Sequence, residues 1–269
     1  MISFENNNIP TYIKNRTSLK IKSSLSTKKV ISCKSVWGIY KKKHIQKILN
    51  SYEKYNNKII YIFLVTDSCD EFDIPSNIRF YRTSLYKSKK KINEFLLPYI
   101  WEGIKRFIEP LKKTKLPIVG FCGQNNQYRK KTLNLLNSNK KIKCNFIIRK
   151  QFWGGKPHGK KIVRDFQNNM INSHFNVCNR GAGNFSMRFY QTLSAGRIPI
   201  LLNTDVLLPF EEEIDWENII IIANTEEEIV NKLLNYWNNK NIIEMQNKCK
   251  EIYNNYFSGN KFFNKILSE

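Results

Sequence analysis

Short apolar runs alternate with segments of helical spacing along residues 116–236, and this order leaves few folds open. Strands are predicted at the apolar runs, residues 116–122, 144–149, 175–178, 198–202 and 219–223. Helices are predicted after them, at residues 127–136, 162–173, 186–195 and 225–236. Strands that alternate with helices of about ten residues form parallel βαβ units. The pattern therefore predicts an α/β fold with a parallel sheet in this half of the chain.

The first half shows a weaker form of the same pattern. The apolar run IIYIFLV at residues 59–65 predicts a buried parallel strand, and residues 78–81 predict a shorter one. Helical spacing predicts helices at residues 36–51 and 92–108. Residues 1–29 are polar and predict irregular structure. Strands and helices are thus expected on both sides of the chain's midpoint.

The two series meet near Pro110. A break at this point divides the chain into an N-terminal lobe, residues 1–112, and a C-terminal lobe, residues 113–269. Because the first lobe is small, a single elaborated domain is the alternative.

Charge is distributed unevenly along the chain, whose formal net charge is +23. Residues 200–269 hold six lysines, no arginine and twelve acidic residues, so the remaining 39 basic and 10 acidic side chains lie in residues 1–199. A solvated lysine-rich surface, a face that attracts acidic or phosphorylated glycans, and nucleic-acid binding would each account for this excess. Nucleic-acid binding is disfavoured because no repeat of aromatic and basic residues is visible. We therefore do not expect a nucleic-acid partner.

Several classes of protein are disfavoured by what the chain contains. No apolar run approaches the roughly 18 residues that span a bilayer, and residues 1–29 do not resemble a signal peptide. Six cysteines are scattered without Cys-x-x-Cys pairs, which is typical of a reducing compartment and of proteins without structural zinc or disulfides. The chain is predicted to be cytoplasmic, and a peripheral contact with a membrane surface remains open.

Residues 178–188, with the sequence CNRGAGNFSMR, carry most of the functional signal. A predicted strand leads into a turn with two glycines, and a predicted helix follows directly. In parallel α/β sheets, ligands bind beyond the carboxyl ends of the strands, and a helix N-terminus suits a diphosphate. Arg180 and Arg188 add planar guanidinium groups that match phosphate oxygens, while Asn184 or Ser186 can cap the helix. The alternative is a tight turn with surface arginines.

Residues 175–216 resemble the exostosin family of glycosyltransferases. The family's short motifs occur here in order, as Cys-x-Arg-Gly, Ser-x-Arg-Phe, Gly-x-Ile-Pro, Leu-Pro-Phe and Ile-Asp-Trp. Upstream, FWGG at residues 152–155 and FCG at residues 121–123 with Arg129 also resemble family members. A fainter likeness extends to residues 82–98, so the resemblance covers roughly residues 78–225.

The resemblance implies a fold of two Rossmann-like lobes, the GT-B type, with the nucleotide sugar in the C-terminal lobe. It implies transfer of a sugar from a UDP- or GDP-sugar to a glycan or lipid-linked oligosaccharide, with inversion and without a metal bound by an Asp-x-Asp motif. No cofactor is expected besides the nucleotide sugar as co-substrate. The expected donor-binding residues are Arg149, Arg180, Gly181, Ala182, Gly183, Asn184, Phe185, Ser186, Arg188 and Gln191.

Two of these assignments carry an alternative or a departure from the family. Arg149 is equally well explained by a structural salt bridge. Gln191 stands where the family usually carries a glutamate that grips the ribose hydroxyls. A catalytically weakened module that binds a glycan or nucleotide is therefore the alternative function.

Catalysis requires a cation at the leaving group and a base for the acceptor. Arg180 is the predicted cation. Asp67, directly after a buried strand, and Glu94 are the candidate bases. His158 and His174 are expected to have surface or packing roles.

Overall fold

The computed structural model describes residues 2–4, 29–34, 42–57, 59–99, 104, 108–151, 159–259 and 261–268. Its backbone is built around two five-stranded parallel sheets. The first sheet has the order β1-β2-β3-β4-β5, with strands β1 Ile2–Phe4, β2 Lys29–Lys34, β3 Ile59–Leu64, β4 Ile78–Arg82 and β5 Glu94–Leu96. The second has the order β10-β9-β8-β6-β7, with strands β6 Ile118–Gln124, β7 Lys143–Arg149, β8 Phe175–Val177, β9 Ile198–Leu202 and β10 Ile221–Ala223.

Seven α-helices occur in the described part of the chain. They are α1 Lys42–Ser51, α2 Gln127–Ser138, α3 Lys160–Ile171, α4 Met187–Ser194, α5 Glu226–Asn239, α6 Ile242–Ile252 and α7 Lys261–Ser268. The strands and helices predicted for residues 116–236 are confirmed, with ends shifted by at most three residues. Helix α1 covers the later part of the helix predicted for residues 36–51, of which residues 36–41 lie outside the described residues.

Two predictions for the first half are wrong. Residues 94–96 form strand β5 and not part of a helix over residues 92–108, because they pair with β4 in the register Phe80↔Glu94 to Arg82↔Leu96. Residues 2–4 form strand β1, which pairs with β2, although residues 1–29 were expected to be irregular. A three-residue strand is too short to show the periodicity on which such predictions depend.

Strand β3 joins two hydrophobic cores. On one face, Ile60 and Ile62 pack in a cluster with α1. On the other face, Tyr61 and Phe63 belong to a larger core that also contains the buried side chains of the second sheet. The alternation follows from the period of two in an extended strand. One core therefore runs from the first sheet into the second.

Helix α7 returns the chain to the first sheet. The Phe263 ring lies 5.3 Å from that of Phe63, and Phe262 lies 6.2 Å from Tyr81, both in edge-to-face geometry. Residues near the C-terminus thus pack on a sheet formed by the first hundred residues. The division into lobes at residues 112 and 113 stays a prediction.

Buried polar side chains of the second half hold the segment between the sheets. The Arg197 guanidinium donates to the carbonyl of Glu109 at 3.1 Å, and the Gln246 amide exchanges two hydrogen bonds with the backbone of Leu111. His174 is buried and accepts a hydrogen bond from the Ile118 N–H at Nδ1, 3.2 Å away, while its Nε2 donates to the carbonyl of Lys112 at 2.9 Å. This is the packing role expected of His174, whereas His158 lies outside the described residues.

Stability is expected to fall in mild acid through His174. Burial lowers the pKa of His174 below its ordinary value of 6.5, the Lys112 carbonyl opposes this, and the Arg197 charge adds to it. Because the folded pKa lies below the unfolded one, the unfolded chain binds the proton more readily. The contribution is fully present above the unfolded pKa of about 6.5 and is lost as the pH falls from there through the lower pKa of the folded state.

Chemical denaturation at pH 7.5 and 5.5 measures this effect, with His174→Gln as the variant. The difference in unfolding free energy between the two pH values should be smaller in His174→Gln than in the wild type. Equal differences in the two proteins would contradict the assignment to His174.

Candidate active site

The carboxyl ends of strands from both sheets meet at the turn after β8. Asn184 links the two sides, because its backbone N–H donates to Ser84 Oγ at 2.7 Å and its Nδ2 donates to the carbonyl of Leu85 at 3.1 Å. Next to these contacts, Tyr86 and Val206 form an antiparallel backbone bridge. The predicted ligand-binding turn therefore lies against the first sheet.

Arg180 is held inside this turn. Its side chain is 7% exposed, and Nη1 donates to Asn184 Oδ1 at 2.9 Å and to the Tyr86 hydroxyl at 3.3 Å. Nη2 donates to the carbonyl of Ala182 at 3.1 Å, and the guanidinium stacks on the Tyr128 ring at 4.5 Å. Nε is buried without a hydrogen-bond partner. All the partners of Arg180 are neutral, so its charge is not neutralised by them.

Two further arginines approach the same strand ends. Arg188 Nη2 donates to the carbonyl of Cys122 at 2.8 Å, whereas its Nε and Nη1 are buried without hydrogen-bond partners. Arg129 donates from Nε to the carbonyl of Asn179 at 3.2 Å and from Nη1 to that of Gln124 at 2.9 Å. Burial and then the neighbouring charge of Arg188 lower the pKa of Arg129 to about 10. The two cations therefore repel each other, and an anion placed between them would relieve that repulsion.

The arginine cluster, Arg129, Arg180 and Arg188, has no carboxylate partner. Among the residues that the structure describes, no Asp or Glu oxygen lies within 4.0 Å of any of the three guanidinium groups. Buried charges in proteins are normally paired. Partly buried arginines with free N–H groups and no counter-charge are suited to binding an anion.

Close approach, and not a left-handed backbone, explains Gly183 in the turn. Positive φ angles occur at other glycines of the described chain and at neither Gly181 nor Gly183. A Cβ atom at Gly183 would instead lie 2.9 Å from both Asp67 Oδ1 and Ser84 Oγ. The missing side chain thus allows the turn to approach the first sheet closely.

The predicted helix caps and backbone donors also need correction. Ser186 occupies the N-cap position of α4 but makes no capping hydrogen bond through its side chain. The Asn184 side chain bonds Arg180, Leu85 and Asp205, and its N–H is used by Ser84, so Asn184 neither caps α4 nor keeps a free backbone donor. The Phe185 side chain is buried among the Phe189 and Tyr190 rings, which makes it a core residue.

The two candidate bases lie in contrasting environments. Asp67 is exposed just beyond β3, and its Oδ1 accepts a hydrogen bond from the Tyr99 hydroxyl at 2.9 Å. Glu94 is 2% exposed, and its carboxylate lies 2.6 Å from Arg82 Nε. The register of β5 against β4 places the Glu94 carboxylate in a buried ion pair, which disfavours Glu94 as the base.

The remaining candidates lie at the margin of the arginine cluster. Arg149 Nη2 lies 3.2 Å from Asp165 Oδ2, which is the structural salt bridge considered as its alternative role. Gln191 is half-buried on α4, and Ala182 is exposed in the turn. Residues 152–155 lie outside the described residues.

Sequence reasoning missed several contacts of the site. Arg129 was noted only as part of a motif, and Tyr86, Tyr99 and Ser84 were not assigned to the site. Three of these side chains belong to the first half of the chain, where only the fainter family likeness at residues 82–98 reached as far as Ser84. The contacts between the first-half residues and the turn after β8 join segments that are distant in the sequence, so they are apparent only from the three-dimensional structure.

The described residues contain neither a metal-binding cluster nor a membrane-spanning helix. No group of three or more His, Cys, Asp or Glu side chains in the described ranges is arranged to hold a metal ion. None of the described helices has the length and apolar character needed to cross a membrane.

Comparisons with known proteins converge on one family. Residues 110–237 match the model of the Exostosin GT47 domain. The chain is 30% identical over 88 residues to an Exostosin-1 homolog of Caenorhabditis elegans, covering 32% of this chain and 23% of that protein. It is 42% identical over 60 residues to Exostosin-1 of Drosophila melanogaster, covering 22% of this chain and 8% of that protein. The chain thus spans less than a quarter of either relative.

The fold is similar to that of a solved structure, the GtfA/B complex. The TM-score is 0.50 at 9% sequence identity, and the match covers 89% of this chain and 56% of that chain. The predicted α/β fold of the GT-B type, with parallel sheets, is confirmed.

Proposed function

We infer that the chain, whose residues 110–237 match the model of the Exostosin GT47 domain, is a glycosyltransferase that uses a nucleotide sugar. The observation that carries this proposal is the arginine cluster, in which Arg180 and Arg188 keep buried N–H groups without partners near the carboxyl ends of strands β8 and β6. That position is where ligands bind in such sheets. A diphosphate supplies the negative charge and the acceptor oxygens that the cluster lacks.

Catalysis would depend on stabilising the departing diphosphate. The acceptor oxygen forms a bond to C1 of the donor sugar, the bond between C1 and the diphosphate oxygen breaks, and its electron pair leaves with the diphosphate. Fixed donors aimed at such developing charge are commonly the largest catalytic contribution. Arg180 is the foremost donor, since its guanidinium is already oriented by Tyr128, Tyr86 and Asn184.

Attack from the side opposite the diphosphate would invert the anomeric centre. Asp67 lies on the first-sheet side of the turn and is the candidate to take the proton of the acceptor hydroxyl. The second sheet would hold the donor, and the acceptor would lie between the sheets. We propose a UDP- or GDP-sugar as donor, a glycan or lipid-linked oligosaccharide as acceptor, and transfer without a metal bound by an Asp-x-Asp motif.

The same proposal includes the kind of acceptor or surface that the protein contacts and its location in the cell. The excess of basic residues before residue 200 would favour an acidic glycan or a peripheral contact with a membrane surface. We propose a cytoplasmic location because the six cysteines are scattered without Cys-x-x-Cys pairs, as is typical of a reducing compartment.

A second candidate function rests on Gln191. An amide accepts one hydrogen bond at its oxygen, whereas a carboxylate offers two charged oxygens to the ribose hydroxyls. A module that binds a nucleotide or glycan with little turnover is therefore the alternative.

A panel of nucleotide sugars separates these functions. Thermal unfolding is followed with each donor, with and without EDTA, and product formation is measured with the donors that bind. At a donor concentration of about 100 times Kd, stabilisation of roughly 2.7 kcal/mol is expected, or an increase in Tm on the order of 5 °C. A donor that stabilises the protein in EDTA and is turned over supports the enzyme, and one that stabilises without turnover supports the binding module. Absence of stabilisation by every donor would contradict both.

Gln191→Glu extends the same experiment. The restored carboxylate is expected to lower the donor Kd about fivefold, since hydrogen bonds to charged groups are roughly twice as strong as neutral ones. Gln191→Ala serves as the control and should not tighten binding. An unchanged or higher Kd in Gln191→Glu would remove the ribose role from this position.

A further inference from the structure

The carboxylate of Asp67 and the hydroxyl of Tyr99 form a pair beside the turn that carries Arg180. We propose that Tyr99 is a positioning residue, which fixes Asp67 as the base that accepts the proton of the acceptor hydroxyl. This inference rests on the proposed function. It adds a residue that no sequence motif marked.

The pair leaves one carboxylate oxygen available. The Tyr99 hydroxyl donates to Asp67 Oδ1 at 2.9 Å, and no other hydrogen bond to this carboxylate occurs among the described residues. Because Oδ1 is used by Tyr99, Oδ2 is the oxygen that can receive a proton. The side chain of Asp67 is also exposed, so an acceptor can reach it.

Asp67 lacks the ion pairs of its acidic neighbours. Glu71 and Asp73 lie 2.7 Å from Lys89 and 3.2 Å from Lys91, respectively. In contrast, no Lys or Arg nitrogen of the described chain lies within 4.0 Å of the Asp67 carboxylate. A cation at that distance would stabilise the charged carboxylate and weaken it as a base. A neutral phenol orients the group without adding a positive charge.

The Tyr99 hydroxyl is well suited to donate a hydrogen bond to Asp67 without taking part in proton transfer. Its side chain is 8% exposed and belongs to the core that joins the two sheets. Burial, and next the charge of Asp67, raise the pKa of Tyr99 well above its ordinary value, so the phenol keeps its proton. The backbone before Asp67 is also fixed, because Thr83 Oγ1 accepts from Thr66 N–H at 2.9 Å and donates to the Thr66 carbonyl at 2.6 Å.

The position of the pair matches the required chemistry. A Cβ atom at Gly183 would lie 2.9 Å from Asp67 Oδ1, which places the carboxylate against the arginine-bearing turn. In the transfer, the acceptor oxygen bonds to C1 of the sugar, the diphosphate leaves with the electron pair of the broken bond, and Asp67 takes the acceptor's proton. Tyr99 stays bound to the other carboxylate oxygen throughout.

A double-mutant cycle tests the role of Tyr99. Tyr99→Phe removes the hydroxyl and is expected to lower kcat about 10-fold, with donor KM unchanged, because a hydrogen bond to a charged group is lost. In an Asp67→Asn background, the same substitution is expected to change kcat less than twofold, because Tyr99 acts through the carboxylate.

Tyr190→Phe is the matched control. Tyr190 is also buried, and its hydroxyl has no hydrogen-bond partner in the described chain. The kcat of the Tyr190→Phe variant should equal that of the wild type. Tm and the donor-induced increase in Tm are measured for each variant, so that loss of folding or of donor binding is separated from loss of turnover.

The outcomes separate this inference from the proposed function. Suppose that donors bind and are turned over. Tyr99 has no positioning role if Tyr99→Phe keeps the wild-type kcat, or if Tyr99→Phe lowers kcat by the same factor in the Asp67→Asn background as in the wild type. The proposed function stands in both cases. If the wild-type protein turns over no donor, both the proposed function and this inference are contradicted.

Discussion

Arg180→Ala is expected to lower kcat/KM for the nucleotide sugar about 100- to 1,000-fold, the usual cost of removing one preorganised donor from a developing negative charge. The guanidinium is 7% exposed, so alanine leaves a site in which water cannot easily restore the same geometry. Steady-state kinetics with the donor identified by thermal shift provide the measurement.

Two companion variants make the result specific to Arg180. Arg180→Lys keeps the charge but loses the planar fork, so it should recover only part of the activity. Arg164→Ala removes an exposed arginine of α3 and should change kcat/KM less than about twofold. An Arg180→Ala enzyme that is folded and as active as the wild type would exclude Arg180 from the donor site.

Asp67→Asn is expected to lower kcat about 100- to 10,000-fold, the range that general base catalysis contributes. The amide has the same shape and still accepts the Tyr99 hydrogen bond, so the fold and the donor-induced increase in Tm should be retained. Rapid-quench measurement of a single turnover would show whether the chemical step itself is slowed.

Asp70→Asn is the matched control for this change. Asp70 lies three residues further along the same loop and is exposed, and its carboxylate accepts a hydrogen bond from Ser68. Its replacement should leave kcat within about twofold of the wild-type value. If Asp67→Asn behaves like Asp70→Asn, the base must be sought elsewhere in the protein.

The second sheet could be predicted well because its elements carry strong local signals. The apolar run of β9, for example, is bounded by Gly196 and Asn203, and its predicted bounds agree with the structure. Thr225 caps α5 by accepting from the Glu228 N–H, which is the local pattern that marks a helix start. Strands β1 and β5 could not be predicted, because three residues show no period and their partners lie elsewhere in the chain.

The site could be predicted more fully on the second-sheet side, because on the first-sheet side the sequence indicated only Asp67 and Glu94. The position of Arg180 in a turn after a strand follows from motif and local pattern. The environment of Glu94 does not, since its pairing with Arg82 depends on the register of two strands. The contacts of Tyr99 with Asp67 and of Ser84 with Asn184 likewise join residues 32 and 100 positions apart. No periodicity or spacing rule predicts such contacts.

The core shared by the two sheets limits how parts of this protein can be exchanged with those of other proteins in chimaeras. Phe262 and Phe263 of α7 pack on Tyr81 and Phe63 of the first sheet, so a graft of residues 113–269 onto another scaffold would carry an apolar helix whose partner surface stayed behind. A chimaera that keeps α7 together with its native first sheet preserves this packing. Modular exchange of specificity between homologues is therefore better attempted by replacing the loops at the sheet edges than by replacing a whole half of the molecule.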